Sequence, residues 1–318
     1  MKAARGALLI AALTLAAASK PSTSLFTGAD PDANRFAGRF WIYPTGAGGT
    51  LRAWSSRDLV NWHRHTPLLH LRDIGWRGDG APVHYLWAPD MVAARGGYFL
   101  YYALGPQNPT PSRIGVARCR TPAGPCRDSG RPLLIGGDGF EAIDPMVFHD
   151  IPRRRWLLYA GGSAGARLRV FQLGADMVTI DHEIAVDQPP GFTEGAFVHR
   201  RHGLYYLSYS EGRWNDASYR VRYVTARAPT GPWRDGGVIL SSDARYRGPG
   251  RHSFVHDPTT GRWWIVYHRW EGETGEGPYS DARRVAIAPL RYAADGAILP
   301  IDMEAPPPRA GRARHAAK

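Results

Sequence analysis

The sequence predicts an all-β protein with the architecture of a five-bladed β-propeller. One short pattern, an apolar aromatic-rich strand that closes with a tyrosine, recurs five times along the chain. The five copies are residues 40–43, 98–101, 156–159, 206–209 and 264–267. Their closing tyrosines are 58, 58, 50 and 58 residues apart. A fixed period of roughly 50 to 60 residues is typical of propeller blades, each of which has four strands.

The composition supports this interpretation. The 37 glycines and 26 prolines suit many short strands that are joined by turns. We find no long amphipathic helix and no linker in the sequence. A chain of 318 residues is long for one ordinary domain, but a closed propeller is a single array that needs no linker.

Each blade can be assigned to one segment of the chain. In order, the segments are residues 30–69, 87–134, 143–186, 193–240 and 251–301. The first two blades turn after their first strands at Ala37-Gly38 and Gly96-Gly97. The strand-like segment 283–290 is expected to pair with residues near the mature N-terminus, because this pairing closes the ring and removes free sheet edges.

The two ends of the chain differ from the propeller, which we place at residues 25–304. Residues 1–19 contain Lys2 and Arg5 before a short apolar run with small residues at its end, and this pattern predicts a signal peptide. The mature protein is therefore expected to be exported, to the periplasm or outside the cell. A retained anchor or a lipoprotein is the weaker alternative, since no cysteine lies near the cleavage point. Residues 305–318, rich in Pro, Ala and Arg, are predicted to be a disordered basic tail.

The formal net charge is +12, which raises the question of nucleic-acid binding. Part of this charge lies in the two ends of the chain, and no basic helix or nucleic-acid module appears, so nucleic acid is not an expected partner. The two cysteines, Cys119 and Cys126, flank a short turn and are predicted to form a disulfide in an oxidising compartment. Two thiols without nearby histidines do not complete a tetrahedral metal site.

Polar residues occupy equivalent positions about ten to twelve residues before the recurring aromatic strands. They are Asp30, Asp144, Glu194 and His252, with Trp87 and Asp90 at the matching place in the second blade. Because the first strand of every blade lines the central channel, these side chains are expected to meet at one end of it. The similar Asp257-Pro258 dipeptide lies between two strands and is explained by a hairpin turn.

These residues resemble a known family. Ala29-Asp30-Pro31, Trp87-Ala88-Pro89-Asp90, Ile143-Asp144-Pro145, Glu194-Gly195 and Gly250-Arg251-His252-Ser253, one in each blade, look like the motifs of glycoside hydrolase family 43. The resemblance covers residues 29–301. Arg251 departs from the pattern, because many members have a His or Gln there, and this leaves the role of His252 open among binding substrate, orienting water and helping to hold a cation.

The resemblance implies a propeller that hydrolyses glycosidic bonds with inversion. Asp30 would be the general base, Glu194 the general acid, and Asp144 the carboxylate that orients the acid and raises its pKa. The physical logic agrees, because an inverting enzyme needs its base ionised and its acid protonated, with room for a water molecule. The expected activity is that of an α-L-arabinofuranosidase or β-xylosidase acting on plant-type polysaccharides or oligosaccharides.

Recognition of the sugar is expected to depend on aromatic rings and one cation near the same rim. Trp87, Phe140 and Trp214 are candidates for stacking on a sugar ring, and Arg283 for hydrogen bonds to its hydroxyl groups or for balancing the carboxylates. For each aromatic residue the alternative is packing between blades. No cofactor is required; calcium, known from parts of the family, is possible near His252 through water. We predict no direct metal ligand, no membrane partner after signal cleavage, and a monomer.

Three other functions are weighed against this prediction. A galactosidase or galactanase of the same type stays open. A retaining fructan hydrolase of a related propeller family would need an Arg before the middle Asp-Pro and a Cys after the acid, where this chain has Ile143 and Gly195. A catalytically inactive carbohydrate-binding propeller should have lost at least one of the three carboxylates, and all three are present.

Overall fold

The protein folds into five antiparallel sheets that are arranged around a central channel. In this computed structural model the described residues are 23–305, apart from residues 47 and 164. The predicted signal peptide and the predicted tail beyond residue 305 lie outside them. The five-bladed propeller predicted from the sequence is confirmed.

The strands follow one another in the order expected for a propeller. They are β1 (Ser24–Thr27), β2 (Ala29–Phe36), β3 (Arg39–Thr45), β4 (Thr50–Ser56), β5 (His63–His70), β6 (Tyr85–Ala94), β7 (Gly97–Gly105), β8 (Arg113–Cys119), β9 (Cys126–Asp128), β10 (Leu134–Ile135), β11 (Met146–Asp150), β12 (Arg155–Ala160), β13 (Arg169–Leu173), β14 (Ile180–Ile184), β15 (Glu194–Arg201), β16 (Leu204–Glu211), β17 (Arg220–Ala226), β18 (Arg234–Leu240), β19 (Tyr246–Asp257), β20 (Arg262–Glu271) and β21 (Arg284–Leu290). Short 3-10 turns occupy Leu71–Asp73, Gly75–Arg77 and Ile151–Arg153.

Each blade begins with the strand that lines the channel. Blades one to five start with β2, β6, β11, β15 and β19, and each of these inner strands contacts the next around the ring until β19 contacts β2. Blade two is irregular, since β9 and β10 both pair with β8. Its Cys119 and Cys126 are partners in the β8–β9 pair and form the predicted disulfide.

The ring closes through the N-terminal strand. β1 pairs antiparallel with β21 and so becomes the outermost strand of blade five, as the sequence predicted for the segment 283–290. Arg269, fully buried on β20, strengthens the closure, because its guanidinium donates to Thr23 Oγ1 at 3.0 Å and to the Met303 carbonyl at 3.0 Å. Both ends of the described chain are thereby tied to the same blade.

The hydrophobic core is divided among the interfaces between blades. Five of its clusters each combine residues of two neighbouring blades, and one of them joins blade five to blade one. The second strand of a blade is buried on both faces, because a neighbouring sheet covers each of them. This burial explains why the recurring pattern in the sequence is apolar throughout and does not alternate.

The recurring tyrosines have a structural role in this packing. All five are fully buried, so each hydroxyl group needs a hydrogen-bond partner. The hydroxyl groups of Tyr43, Tyr101 and Tyr159 donate to backbone carbonyls in the outer part of the following blade, those of Pro122, Met177 and Pro229. In the first three blades, the tyrosine at the end of the pattern therefore links neighbouring blades.

Candidate active site

A pocket opens at the end of the channel where the inner strands begin. Its volume is about 350 Å³, which lies at the lower end of the range for small-molecule sites. It is lined by Asp30, Trp87, Gln107, Ile143, Asp144, Ser163, Glu194, Trp214 and Arg283. The structure thus brings together the three predicted carboxylates and three of the five residues predicted to bind substrate.

A backbone irregularity recurs in all five blades, within the inner strand or just before it, and positions the polar side chains. The residues with a positive φ there are Asp30 (47°), Ala88 (44°), Asp144 (52°), Gly195 (67°) and Arg251 (37°). In four of the blades, all but blade three, the strand register also shifts close to this residue. Such backbone costs of order 1–3 kcal/mol for a residue other than glycine and is concentrated at functional sites.

The repeated irregularity corrects the alignment of two predicted residues. Glu194 lies one residue before the irregular position, which Gly195 occupies, and His252 lies one residue after it, since Arg251 occupies it. The sequence analysis placed Glu194 and His252 in the same register as Asp30 and Asp144. Arg251, and not His252, therefore reaches Asp144, while Glu194 lines the pocket in spite of its offset.

Asp30 lies between a cation and an imidazole ring. Arg283 Nη1 donates to Asp30 Oδ1 at 3.0 Å, and His268 Nδ1 is 3.3 Å from the same oxygen. The Asp30 backbone N–H donates to His268 Nδ1 at 3.0 Å. Burial by itself would raise the pKa of Asp30, but the charge of Arg283 outweighs it and holds this pKa well below its usual value. Asp30 is therefore ionised at neutral pH.

The His268 ring is a neutral part of this arrangement. Burial lowers the pKa of His268 to about 4, and the charge of Arg283 acts in the same direction. A neutral ring agrees with the hydrogen bond from the Asp30 amide, because Nδ1 must carry a free lone pair to accept it. His268 thus fixes the backbone of Asp30 without neutralising its carboxylate.

Two hydroxyl groups hold the Glu194 carboxylate. Tyr219 donates to Glu194 Oε1 at 2.7 Å, and Ser163 donates to Oε2. The Tyr219 ring stacks on His268 with 5.8 Å between the ring centroids and 7° between the planes. This ring fits only because residue 250 is glycine, since a Cβ there would approach Tyr219 Cε1 to 2.1 Å. Glu194 and Asp30 are therefore connected through the Tyr219–His268 stack.

Asp144 shares the site with Glu194 and with a buried guanidinium. Arg251 Nε is 3.2 Å from Asp144 Oδ1, and both side chains are almost fully buried. Burial raises the pKa of Asp144 to about 7; the charge of Arg251 opposes the shift, while the charges of Glu194 and Asp30 add to it. Near neutral pH, therefore, the Asp144 carboxyl group can hold a proton.

The rim of the pocket combines two indole rings with Arg283. The Arg283 guanidinium carbon lies 5.0 Å from the centroid of the Trp214 ring, and Trp214 is 43% exposed. Trp87 stacks on Tyr85 with 5.4 Å between centroids and also lines the pocket. Both tryptophans thus offer a face to a ligand, while Arg283 contacts the Asp30 carboxylate.

Two residues predicted to bind substrate lie elsewhere. Phe140 is buried in a core cluster with Ile114, Ala142 and Ala160, under the guanidinium of Arg169, so its ring packs between blades and does not line the pocket. His252 is fully buried, and its Nε2 lies 2.7 Å from Ser208 Oγ. Neither side chain is placed to touch a sugar in this pocket.

Several residues of the site were missed by the sequence analysis. They are Gln107, Ser163, Tyr219 and His268, and Arg251 was noted only as a departure from a pattern. His268 directly follows the recurring Tyr267, within the buried run of β20, and a histidine there is the one signal that could have identified it. Gln107, Ser163 and Tyr219 lie on loops, where no repeated pattern marks them.

The residues around His252 do not fit a directly bound calcium ion. Calcium takes six to eight oxygen ligands, whereas the unpartnered atom at this place is the nitrogen Nδ1 of His252. Within residues 23–305, as far as they are described, no three His, Cys, Asp or Glu side chains form a group that could hold a metal ion. The catalytic steps are therefore assigned to side chains alone.

In the described part of the chain, residues 23–305 without 47 and 164, no helix is long and apolar enough to cross a membrane.

The chain is similar to known proteins over most of its length. Residues 21–298 match the model of glycosyl hydrolases family 43. The chain is 34% identical to a β-D-galactofuranosidase of Aspergillus niger over 90% of this chain and 86% of that protein. It is 27% identical to a xylosidase/arabinosidase of Bacteroides ovatus over 86% of this chain and 94% of the relative.

Solved structures show the same fold. One is a family 43 β-xylosidase/α-arabinofuranosidase from a compost microbial metagenome, solved with xylotriose in a calcium-free form. It is 26% identical to this chain with a TM-score of 0.71, over 90% of this chain and 99% of that structure. The family match over most of the chain identifies this protein as a member of glycosyl hydrolases family 43, the enzymes that hydrolyse glycosidic bonds with inversion.

Proposed function

We propose that this protein is an exported hydrolase that removes terminal α-L-arabinofuranosyl units from plant-type polysaccharides or oligosaccharides. The observation that carries the proposal is the small pocket in which Asp30, Glu194 and Asp144 lie together with Trp87 and Trp214. Its volume of about 350 Å³ suits the end of a glycan chain. Two of the similar proteins are described as xylosidase/arabinosidase enzymes.

The proposed reaction is a single displacement. Asp30, kept ionised by Arg283, accepts a proton from water as the water oxygen attacks the anomeric carbon. The bond from that carbon to the leaving oxygen breaks, and Glu194 donates a proton to this oxygen. Asp144 keeps a proton next to Glu194 and orients this residue, while Tyr219 and Ser163 fix the Glu194 carboxyl group. The sugar leaves with inverted configuration.

A second candidate is the removal of β-D-galactofuranosyl units. The 34% identical relative is described as a β-D-galactofuranosidase. A β-D-galactofuranosyl ring has the same ring configuration as an α-L-arabinofuranosyl ring and differs by one added hydroxymethylene group on the side chain at C4. One pocket can accept both sugars if its wall leaves room beside that carbon.

The proposal is tested by hydrolysis of nitrophenyl glycosides by the purified mature protein. We expect the highest kcat/KM on the α-L-arabinofuranoside, with the β-D-galactofuranoside next and the β-D-xyloside and β-D-galactopyranoside lower. Proton NMR of the first product should show the inverted anomer. A preference for either pyranoside would reject the furanoside proposal, and no hydrolysis of any of them would favour a carbohydrate-binding propeller.

The pH dependence of kcat/KM is expected to be asymmetric. Since burial raises the pKa of Asp144 to about 7, Asp144 loses its proton as the pH rises through this value, and kcat/KM should fall above about pH 7. On the acid side Asp30 stays ionised, because the charge of Arg283 keeps its pKa well below the usual value, so little loss is expected down to about pH 4. The Asp144→Asn variant cannot hold that proton, so its kcat/KM should not fall at this pH. An alkaline limb at the same pH in both proteins would contradict this assignment.

A further inference from the structure

The other end of the channel has a distinct chemical character. The inner strands begin at the catalytic pocket, so the hairpins that follow them lie together at the opposite mouth. These five hairpins comprise residues 35–39, 94–97, 150–155, 200–204 and 257–262. They contain nine arginines but only two acidic residues, Asp150 and Asp257. We call this surface the arginine mouth.

Most of the charge of the arginine mouth is not neutralised. Asp150 is fully buried and pairs with Arg153 and Arg155, and Asp257 lies 3.6 Å from Arg35. Among the described residues, the remaining six guanidinium groups have no carboxylate within ion-pair distance; they belong to Arg39, Arg95, Arg154, Arg200, Arg201 and Arg262. By contrast, residues 271–282 beside the catalytic pocket contain four acidic residues and no arginine. The arginine mouth is thus basic, whereas this segment at the other end of the channel is acidic.

A pocket lies in the middle of the arginine mouth. Its volume is about 500 Å³, and aromatic rings form much of its wall, including those of Phe148, Phe254 and Trp263. Trp263 stacks on His256 with 4.7 Å between ring centroids. This wall suits a sugar ring, which has an apolar face that stacks on aromatic side chains.

Two residues that line the pocket carry a buried nitrogen without a partner among the described residues. They are His199, whose Nδ1 makes no hydrogen bond, and Arg35, whose Nε is likewise unpartnered. Neither nitrogen is open to solvent, so the polar group that the pocket presents directly to a ligand is the exposed guanidinium of Arg200.

We propose that the arginine mouth is a second carbohydrate site that binds polysaccharides bearing carboxylate groups, remote from the catalytic pocket. The aromatic pocket would hold one sugar ring while the surrounding guanidinium groups pair with uronate carboxylates, which they can contact through two hydrogen bonds at once. An aromatic pocket surrounded by arginines favours a sugar chain over a nucleic-acid strand, which is followed by a continuous basic groove. The site would keep the enzyme on an acidic polymer whichever sugar it removes.

Binding of the full mature chain to polygalacturonate is the test, measured by affinity electrophoresis and by titration at low salt. We expect the triple variant Arg200→Gln, Arg201→Gln, Arg262→Gln to bind at least tenfold more weakly, with a smaller dependence on salt. The matched control Arg57→Gln, Arg120→Gln, Arg131→Gln removes the same charge from exposed positions on other parts of the blades and should bind within twofold of the wild type. Thermal unfolding of both variants checks that they fold.

Two further comparisons separate this site from catalysis and from other partners. Glu194→Gln should bind polygalacturonate as the wild type does, even where it no longer hydrolyses glycosides, so failure of the glycosidase proposal and failure of this one are distinguishable. Equal losses in the two triple variants would overturn the proposal in favour of diffuse charge attraction. Absence of binding, or tighter binding to duplex DNA or to phosphatidylglycerol vesicles than to polygalacturonate, would also overturn it.

Discussion

Replacing Asp30 by Asn is expected to lower kcat/KM by roughly 10²- to 10⁴-fold, the usual contribution of a general base. The substitution keeps the size of the side chain, so the backbone irregularity at this residue can persist, but the amide cannot accept the proton of the attacking water. Arg283 then faces a neutral group in place of the carboxylate that it contacts at 3.0 Å. Steady-state kinetics on the best nitrophenyl glycoside measure the loss.

Asp257→Asn is the matched control for this change. Asp257 is also an aspartate before a proline, but it caps a hairpin turn at the end of β19, where its carboxylate accepts hydrogen bonds from Thr259 and Thr260. We expect its kcat/KM to stay within twofold of the wild type. If Asp30→Asn kept more than a tenth of the activity, Asp30 would not be the base.

Replacing Glu194 by Gln is expected to give a loss that depends on the leaving group. A general acid matters most when the departing oxygen is strongly basic, because that oxygen then needs a proton as the bond breaks. We therefore expect a loss of about 10²- to 10⁴-fold on an unactivated oligosaccharide and a much smaller loss on a dinitrophenyl glycoside. The glutamine oxygen can still accept the hydrogen bond from Tyr219, and the glutamine NH2 group can donate to the Ser163 hydroxyl oxygen, which should preserve the local packing.

The ratio of the two losses is the informative quantity. Equal losses on both substrates would indicate that Glu194 binds or positions the sugar and is not the acid. Glu183→Gln, an exposed glutamate on the outer strand β14, provides the control and should leave both rates unchanged. Measuring both substrates with each protein separates a loss of proton donation from a general loss of folded enzyme.

The fold was predictable because each of the five blades buries its second strand between two neighbouring sheets. Each second strand is covered on both faces, so its sequence is apolar, and each closing tyrosine is buried and needs a partner in the protein. Periodicity of this kind can be detected in one sequence. The pairing of β1 with β21 followed from the same logic, since an unclosed ring would leave exposed edges.

The residues around the carboxylates were harder to predict. Tyr219 lies on a loop before β17, Ser163 on the loop after β12, and both act through hydrogen bonds to Glu194, which a pattern of apolar residues cannot reveal. Phe140 was wrongly expected at the rim for the same reason, because its position in the sequence does not state whether its ring points to the pocket or to the core. His252 differs from Arg251 by one residue, and that single step decided which of them reached Asp144.

The sequence by itself therefore determined the repeat, the number of blades, the closure of the ring and the three carboxylates that line the pocket. These features depend on spacing and on the apolar or polar character of residues, which are local properties of the chain. Only the tertiary structure decided the contacts of Asp30 with Arg283 and His268 and of Asp144 with Arg251. It also decided the gathering of arginines at one mouth of the channel. The contacts of Asp30 and Asp144 join residues from different blades. Their distances and burial, which set the pKa of each carboxyl group, exist only once the ring has closed.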